Sequence, residues 1–363
     1  MSSVSNEENN LSDWFTNSTV SYTRLRNISD WSHSLLKYQI PKSVRRKLLI
    51  ILFILIVCFT LMIYSCVNCY VNCTSVCTFT KPSYILADGK NVSHNVNASY
   101  DQHMSRRLPQ CIIIGVRKAG TRALLEYLNI HPDIVVTSKE QHFFNTDDRY
   151  SLGLEYYRNQ MPLSFSHQIT IEKTPAYFTD LMSQERIYRM NSSIRLLLII
   201  RDPVVRLVSD YTQLMYGKKV KNKHVIALED LIIDRNGDID LDYKPIQRSI
   251  YYHYFINWLE FFRRDQIHIV DGDKLISNPY PEINEVESFL GLGHRISKDL
   301  FYYNASKGFF CVNLDKLDNP CLGESKGRPH PEVDPDILTE LYDFYRPRNK
   351  MFFELANKSF DWP

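Results

Sequence analysis

The sequence predicts an α/β domain built on a parallel sheet and preceded by one membrane-spanning helix. Two observations predict the domain: short apolar runs of strand length recur beyond residue 110, and amphipathic stretches separate them. A third observation, one long apolar run near the N-terminus, predicts the membrane segment. With 44% hydrophobic and 23% charged residues, and 12 Gly among 363 residues, the composition excludes a collagen-like or wholly disordered chain.

The apolar run extends from Leu48 to Tyr64, and no Asp, Glu, Lys or Arg follows it until Lys81. At about 1.5 Å per residue, roughly 17 to 20 such residues cross a thin bilayer core. We predict a transmembrane signal-anchor over residues 48–66 and a cytoplasmic tail over residues 1–47. A cleaved signal peptide is disfavoured because the segment before the run is much longer than a usual n-region.

Basic residues on one side of the run predict its orientation. The positive-inside bias puts the N-terminus in the cytoplasm and the rest of the chain in a lumen or outside the cell, because four basic residues directly precede the run, Lys42, Arg45, Arg46 and Lys47. Residues 67–107 resemble a luminal stem. The cysteines near the bilayer are Cys66, Cys69, Cys73 and Cys77. Intermolecular disulfides suit the lumen, palmitoylation suits only cysteines at the cytoplasmic side, and no special role is the third alternative.

The main domain is predicted over residues 108–363. Continuous apolar strands that alternate with helices, such as one over Arg122–Ile130, predict a parallel sheet covered on both faces. In such sheets ligands bind beyond the carboxyl ends of the strands, so polar residues that follow a strand are candidate site residues. The predicted strands are Cys111–Gly115, Ile134–Thr137, Gln168–Glu172, Arg195–Ile200 and Gln266–Val270.

The first strand runs into Gly-Val-Arg-Lys-Ala-Gly-Thr-Arg, residues 115–122. Backbone N–H groups of such a loop and the start of the helix that follows can bind a phosphate. The loop is not a Walker A motif, because Thr121 stands where that motif needs Lys. The cation lies inside the loop instead, at Lys118. A plain glycine turn between strand and helix is the alternative.

Charged residues also follow the next strands. Glu140 and His142 could act as a base and its orienting partner, although such a pair in a loop is often only surface. Lys173 ends the third strand. After the fourth strand comes Arg201, which favours an anion, and Asp202, which a Walker B site would use for Mg²⁺; a solvated Arg–Asp pair is the alternative.

Three further segments stand out. Cys311 and Cys321 bracket a short loop and could close a disulfide, worth about 2–3 kcal/mol by loop entropy. The aromatic stretch Tyr251–Phe262 predicts a helix packed in the core. The densest basic cluster of the main domain is either part of an anionic-acceptor groove or a solvated loop; its residues are Lys218, Lys219, Lys221 and Lys223.

Together the segments resemble, in order and spacing, the heparan sulfate glucosamine 3-sulfotransferases. The likeness runs from about Pro109 to Trp362 and rests on GVRKAGTRALLEYL, KEQHFF, IEKTPAYF, LLLIIRDP, IHIVDGDKLI, KGFFC and ESKGRPHP. It implies a sulfotransferase fold, the donor 3′-phosphoadenosine 5′-phosphosulfate, heparan sulfate chains as acceptor and residence in the Golgi membrane as a type II protein. No metal is expected, since the His residues are scattered and the Cys spacing is wrong for zinc. No nucleic acid is expected either, since a net charge of +2 gives no argument for such a partner.

The resemblance also implies roles for single residues. Glu140 matches the proposed general base, with Lys118 and His142 beside it as further catalytic residues, and Cys311–Cys321 matches a disulfide. Positions that match donor-binding residues are Lys118, Ala119, Gly120, Thr121, Arg122, Arg201, Ser209, Lys326, Gly327, Arg328, Pro329 and His330. Positions that fall at the acceptor are Glu140, His142, Asn145, Lys173, Gln213 and Tyr243.

Two positions depart from the family pattern. Ala119 stands where the family usually has Gly, and its methyl group could crowd the donor. Asn145 replaces an acceptor-side Asp and carries no charge, although its carbonyl oxygen can still accept a hydrogen bond. Three other functions stay open. A nucleotide kinase would share the loop after the first strand, a sulfotransferase could act on another glycan or position, and Asn145 leaves room for a non-catalytic glycan-binding relative.

Overall fold

The computed structural model describes residues 103–313, 321–323 and 327–363, together with Ile56, Val57, Thr60 and Leu61. The predicted cytoplasmic tail lies outside the described residues, as do nearly all of the predicted transmembrane segment and most of the stem. No helix in the described ranges is long and apolar enough to cross a membrane. The chain divides into two units, Met1–Asn95 and Val96–Pro363, and the fold below belongs to the second.

Five parallel strands form the central sheet, in the order β3-β5-β2-β6-β7. The strands of the described residues are, in chain order, β1 (Ser105–Arg106), β2 (Cys111–Gly115), β3 (Ile134–Val136), β4 (Leu163–Ser164), β5 (Ile169–Lys173), β6 (Arg195–Ile200), β7 (Ile267–Asp271), β8 (Phe301–Asn304) and β9 (Phe309–Val312). All five strands of the sheet are those that the apolar runs predict, with bounds that differ by at most one residue. The predicted parallel sheet is confirmed.

The sheet is covered by helices, which is why its strands are apolar on both faces. Every residue of β2 is buried, and so is every residue of β6 after Arg195. The described α-helices are α1 (Thr121–Leu128), α2 (Asp147–Tyr150), α3 (Gly153–Asn159), α4 (Ser183–Met190), α5 (Pro203–Val220), α6 (Glu229–Ile232), α7 (Lys244–Gln247), α8 (Tyr251–Phe261), α9 (Gly272–Ser277), α10 (Pro279–Phe289) and α11 (Pro335–Ala356). The predicted aromatic helix is α8, and Tyr251, Phe255 and Trp258 lie in the core as expected.

Two short antiparallel pairs complete the domain. β1 pairs with β4, and β8 pairs with β9 as a hairpin. A disulfide joins Cys311 of β9 to Cys321, with the two Cα atoms 4.6 Å apart, so the predicted bridge is confirmed. The apolar runs did not predict either pair, because these strands are only two to four residues long.

The strand order places a crevice beside β2. The chain leaves β2 toward β3 and β5 on one side of the sheet and later crosses to β6 and β7 on the other. The loops after β2 and β6 therefore diverge at the carboxyl edge, where open α/β sheets bind their ligands.

Candidate active site

The loop between β2 and α1 forms the floor of this crevice. Gly120 ends the loop with φ +110°, a left-handed value that favours glycine, and α1 begins at the next residue with no acidic side chain in its first turn. The start of α9 packs tightly against the loop: a Cβ on Gly272 would lie 2.4 Å from the carbonyl oxygen of Ala119. The first turn of α1 lines the crevice, and its backbone N–H groups have no acidic side chain of that turn to bind. They are therefore available to an anionic ligand.

A cavity of about 830 Å³ opens above the loop. Among its described lining residues Glu140 is the one acid. Seven lining residues are basic, and they are Arg117, Lys118, Arg122, Lys173, Arg201, Lys307 and Arg328. Such a concentration of positive charge suits a multiply charged anion. The net charge of +2 on the whole chain gives no sign of it, so the anion site is local.

Glu140 lies between a cation and a histidine. Its Oε1 atom accepts a hydrogen bond from Lys173 Nζ, and His142 Nε2 lies 3.5 Å from its Oε2 atom. The Lys173 side chain is 5% exposed, whereas that of Glu140 is 40% exposed and open to the cavity. The carboxylate is thus held at one oxygen by a buried cation while the other oxygen faces the space a substrate would enter.

The opposite side of the cavity is built from β6 and α5. Arg201 follows β6, and its guanidinium pairs with Asp273 at 3.2 Å. Burial, with Arg201 and Lys118 nearby, lowers the pKa of His330, which lines the same side. Ser209 lies on α5, two turns after the helix begins. This side of the cavity therefore offers a guanidinium and a hydroxyl to an anion.

Arg328 closes the cavity against α5. Its Nη1 atom donates a 2.8 Å hydrogen bond to Gln213 Oε1, and its guanidinium lies 4.1 Å from the centre of the Tyr216 ring. The sequence predicts that Gln213 lies at the acceptor and Arg328 at the donor. The structure joins them, so the two predicted subsites share a wall.

A buried carboxylate holds Arg117 at the cavity. Asp210 is fully buried and pairs with Arg117 at 2.8 Å, Arg206 at 3.0 Å and Arg248 at 3.1 Å. Burial by itself would raise the pKa of Asp210, but Arg206 and the other two guanidinium groups outweigh it and lower the pKa to about 2. Asp210 therefore stays ionised and fixes the guanidinium of Arg117 at the rim.

Asp202 has a structural role. Its Oδ1 atom accepts hydrogen bonds from the N–H groups of Val204 at 2.8 Å and Val205 at 3.0 Å, which makes it the N-cap of α5. The residue is 5% exposed and is not among the cavity-lining residues. The Walker B interpretation of Asp202 is therefore wrong, because its carboxylate is committed to the helix.

The structure brings most of the predicted site residues together around one cavity. Those that line it are Lys118, Gly120, Thr121, Arg122, Glu140, His142, Lys173, Arg201, Ser209, Gln213, Gly327, Arg328 and His330. Four predicted residues are described but do not line it: Ala119, Asn145, Tyr243 and Pro329. Lys326 lies outside the described residues.

The two departures from the family pattern have different surroundings. Ala119 is fully buried and packs into the hydrophobic core, so its methyl group does not project into the cavity. The Oδ1 atom of Asn145 is buried and makes no hydrogen bond to any described residue. Tyr243 resembles Asn145 in this respect, since its hydroxyl is buried without a hydrogen-bond partner among the described residues.

Among the lining residues that sequence reasoning missed are Arg117, Lys307 and Phe309. Arg117 precedes Lys118 in the loop, and its pairing with Asp210 joins positions 93 residues apart, which no local pattern reveals. Lys307 and Phe309 reach the cavity from the β8–β9 hairpin. The motif KGFFC was the signal that could have revealed Lys307 and Phe309.

No group of three or more His, Cys, Asp or Glu in the described part of the chain is arranged to hold a metal ion.

The parallel sheet and its cationic cavity belong to a sulfotransferase: the sulfotransferase domain model matches residues 108–352. A sulfotransferase from Alicyclobacillus acidocaldarius shares the fold, with a TM-score of 0.52 and 19% identity over 70% of this chain and 98% of that one. Human heparan sulfate glucosamine 3-O-sulfotransferase 5 is 49% identical over 74% of this chain and 79% of its own. Human heparan sulfate glucosamine 3-O-sulfotransferase 3B1 is 42% identical over 71% and 66%. The chain belongs to the heparan sulfate glucosamine 3-O-sulfotransferase family.

Proposed function

We propose that the chain transfers a sulfuryl group from 3′-phosphoadenosine 5′-phosphosulfate to the 3-hydroxyl of glucosamine residues in heparan sulfate. The observation that carries the proposal is the position of Glu140, the one acidic residue among the described residues that line a cavity with seven basic ones. The names of the similar relatives support the acceptor and the 3-position.

The donor fits the loop after β2 and the wall formed by α5. Residues 118–122, with the start of α1, would hold the 5′-phosphosulfate. Arg201 and Ser209 would hold the 3′-phosphate. The remaining contacts would come from the segment that contains Lys326, Gly327, Arg328, Pro329 and His330. When bound, the donor supplies the sulfuryl group.

Glu140 acts as the general base. It accepts the proton of the sugar hydroxyl as the hydroxyl oxygen forms a bond to sulfur and the bond between sulfur and the bridging phosphate oxygen breaks. Lys118 stabilises the charge that develops on the leaving oxygen, and His142 assists from the side of Glu140. Because the cationic groups are already in place, positioning and electrostatics supply most of the acceleration.

A metal is not required in this scheme. A sulfuryl group carries less negative charge than a phosphoryl group, so cationic side chains can balance the charge that a Mg²⁺ ion balances in phosphoryl transfer. Arg201 stands at the strand end where a Walker B site would need a carboxylate, and Asp202 is committed to the helix cap.

The polyanionic acceptor would extend from the cavity along α5. Lys218 follows Gln213 by five positions on the same helix, which corresponds to about 7.5 Å along its axis. Lys219, Lys221 and Lys223 are exposed around the end of this helix. We assign this basic cluster (Lys218, Lys219, Lys221 and Lys223) to the sulfate and carboxylate groups of the chain beyond the reacting sugar.

We also propose that the protein is a single-pass type II protein of the Golgi membrane with its catalytic domain in the lumen. The apolar run from Leu48 to Tyr64 and the basic residues before it support this orientation. The disulfide between Cys311 and Cys321 is also suited to an oxidising lumen.

Product analysis tests the activity. The full chain, purified in detergent, is incubated with sulfate-labelled donor and defined heparan oligosaccharides, and the new sulfate is located by disaccharide mapping. Label at the glucosamine 3-position is the expected result. Label at another position would identify a sulfotransferase of different specificity, and oligosaccharide binding without transfer would identify a non-catalytic relative.

A further inference from the structure

The loop that carries Glu140 and His142 is held by side chains from the end of β5 and the turn after it. Three successive backbone N–H groups of the loop are satisfied in this way. Gln141 N and His142 N donate to Thr174 Oγ1 at 3.0 Å and 3.3 Å, and Phe143 N donates to the Tyr177 hydroxyl at 3.1 Å. Thr174 thus binds the backbone of the two residues that follow the reacting carboxylate, Gln141 and His142.

His142 needs such support because its backbone is in a left-handed conformation. Its φ is +50°, which costs a non-glycine residue about 1 kcal/mol or more. This conformation aims the imidazole at Glu140, with Nε2 3.5 Å from the carboxylate. The hydrogen bonds to Thr174 and Tyr177 flank His142 and oppose its relaxation to an ordinary conformation.

Glu172 determines which way the Thr174 hydroxyl points. Thr174 donates its single proton to Glu172 Oε1 at 2.5 Å, which leaves the lone pairs of its oxygen to the two loop N–H groups. Glu172 also accepts hydrogen bonds from the Tyr157 hydroxyl at 3.3 Å and from Gln141 N at 3.4 Å. Without an acceptor at this position, the Thr174 hydroxyl could rotate and turn its proton toward the loop. The proton would then face the loop N–H groups in place of the lone pairs that accept their hydrogen bonds.

Glu172 itself does not reach the cavity. It is fully buried, and neither it nor Thr174 is among the lining residues. The next residue on the strand, Lys173, contacts Glu140 from the cavity side. Burial is the largest influence on the pKa of Glu172 and raises it to about 7, against the lowering effect of its hydrogen bonds from Thr174, Gln141 and Tyr157 and of the Lys173 charge.

We propose that Glu172 is a positioning residue, which fixes Glu140 and His142 for proton transfer by orienting the Thr174 hydroxyl toward the loop backbone. The proposal rests on the proposed function, because it assigns Glu172 to the geometry of that reaction. Glu172 neither touches substrate nor exchanges a proton with it. Its contribution is therefore to kcat, while donor binding at the loop after β2 is independent of it.

Two variants of Glu172 test this role. Glu172→Met removes the acceptor at similar volume, and we expect kcat to fall about 10- to 100-fold, the size of effect that a small misplacement of reacting groups causes. Glu172→Gln keeps a carbonyl oxygen for Thr174 and is expected to retain kcat within a few-fold of wild type. Binding of adenosine 3′,5′-bisphosphate, measured by calorimetry, should be unchanged in both variants.

Thr174 provides a second, independent pair. Thr174→Ser keeps the hydroxyl and should retain kcat, whereas Thr174→Val should lower it as Glu172→Met does. Glu287→Met is the matched control: Glu287 is equally buried and accepts the backbone N–H groups of Arg295 and Ile296 at 3.0 Å, but it does not line the cavity. Its loss should destabilise the fold without lowering kcat of the folded protein.

The outcomes separate this inference from the function on which it rests. Wild-type kcat in Glu172→Met and Thr174→Val would overturn the positioning role, as would a loss in Glu172→Gln as large as that in Glu172→Met. In either case an active wild-type enzyme would leave the proposed function standing. Absence of sulfuryl transfer in the wild-type chain itself would overturn both.

Discussion

Glu140 and Lys173 form an ion pair in the lining of the cavity, although they are 33 positions apart in the chain. They meet because Glu140 follows β3 and Lys173 ends β5, and these strands are neighbours in the sheet. The pair places a nearly buried cation against one oxygen of the carboxylate that we assign as the base. The other oxygen is left to the substrate and His142.

Replacing Lys173 by Met should therefore impair the chemical step more than donor binding. Without its ammonium partner, Glu140 is no longer held in place, and we expect kcat to fall about 100- to 1,000-fold. Steady-state kinetics with calorimetry on adenosine 3′,5′-bisphosphate separates the two effects. Lys139→Met is the control, because Lys139 is exposed in the same loop and does not line the cavity. An equal loss in both variants would contradict the assignment.

Arg201 should determine whether the protein distinguishes nucleotides by their 3′-phosphate. A hydrogen bond to a charged group contributes about 1.5–3 kcal/mol, so Arg201→Met should weaken binding of adenosine 3′,5′-bisphosphate about 10- to 100-fold. Binding of adenosine 5′-monophosphate should change little. Arg189→Met, which removes an exposed arginine of α4, is the control for the loss of charge. A variant that still prefers the bisphosphate as strongly as wild type does would exclude Arg201 from the 3′-phosphate site.

Neutralising the basic cluster should weaken acceptor binding alone. With all four lysines replaced by Gln, we expect a higher KM for heparan sulfate, a flatter dependence of KM on salt and an unchanged kcat. Because the change in net charge is also felt at long range, the control removes four exposed basic residues elsewhere: Arg189, Arg263, Arg346 and Lys350. If both variants raise KM equally, the effect is one of net charge and the cluster is not part of the groove.

Asp210 should stabilise the fold and make it sensitive to acid. Its folded pKa of about 2 lies below the usual value of about 3.9, so its stabilising contribution is full above pH 4 and is lost as the pH falls toward 2. Asp210→Asn leaves Arg206 buried without a counter-charge and should lower the free energy of unfolding by about 3–5 kcal/mol.

Denaturant unfolding between pH 3 and pH 6 measures both effects of Asp210. The variant should show less acid destabilisation than wild type over this range. Asp265→Asn is the control, because Asp265 forms an exposed ion pair with Arg263 and its replacement should change stability little. Equal unfolding free energies for wild type and Asp210→Asn at pH 6 would contradict the role of this carboxylate.

The central sheet could be predicted because its strands are buried on both faces. Cys111–Gly115 is apolar throughout, and Arg195–Ile200 is apolar after its first residue. The bounds of both predicted strands agree with the structure residue for residue. The rule that ligands bind at the carboxyl ends of parallel strands then led directly to Lys118, Glu140, Lys173 and Arg201. These four side chains line one cavity because the fold, and not their spacing, brings them together.

Contacts between distant segments could not be predicted from the sequence. Asp202 shows the difficulty: a carboxylate after a strand suits either a metal site or a helix cap, and only the backbone N–H groups of Val204 and Val205 decide between them. The support of the catalytic loop by Thr174 depends on β3 and β5 being neighbours, which the order of the strands along the chain does not reveal. Local patterns carry no information on such pairings.

Comparison of wild type with Glu140→Gln tests the central claim most directly. Calorimetric titration of adenosine 3′,5′-bisphosphate should give the same dissociation constant for both chains, because Glu140 is assigned to the acceptor hydroxyl and not to the donor. In the same preparations, transfer of labelled sulfate to heparan oligosaccharide should be about 100- to 10,000-fold slower in the variant. Failure of the wild-type chain to bind the bisphosphate, or transfer by Glu140→Gln at the wild-type rate, would contradict the account.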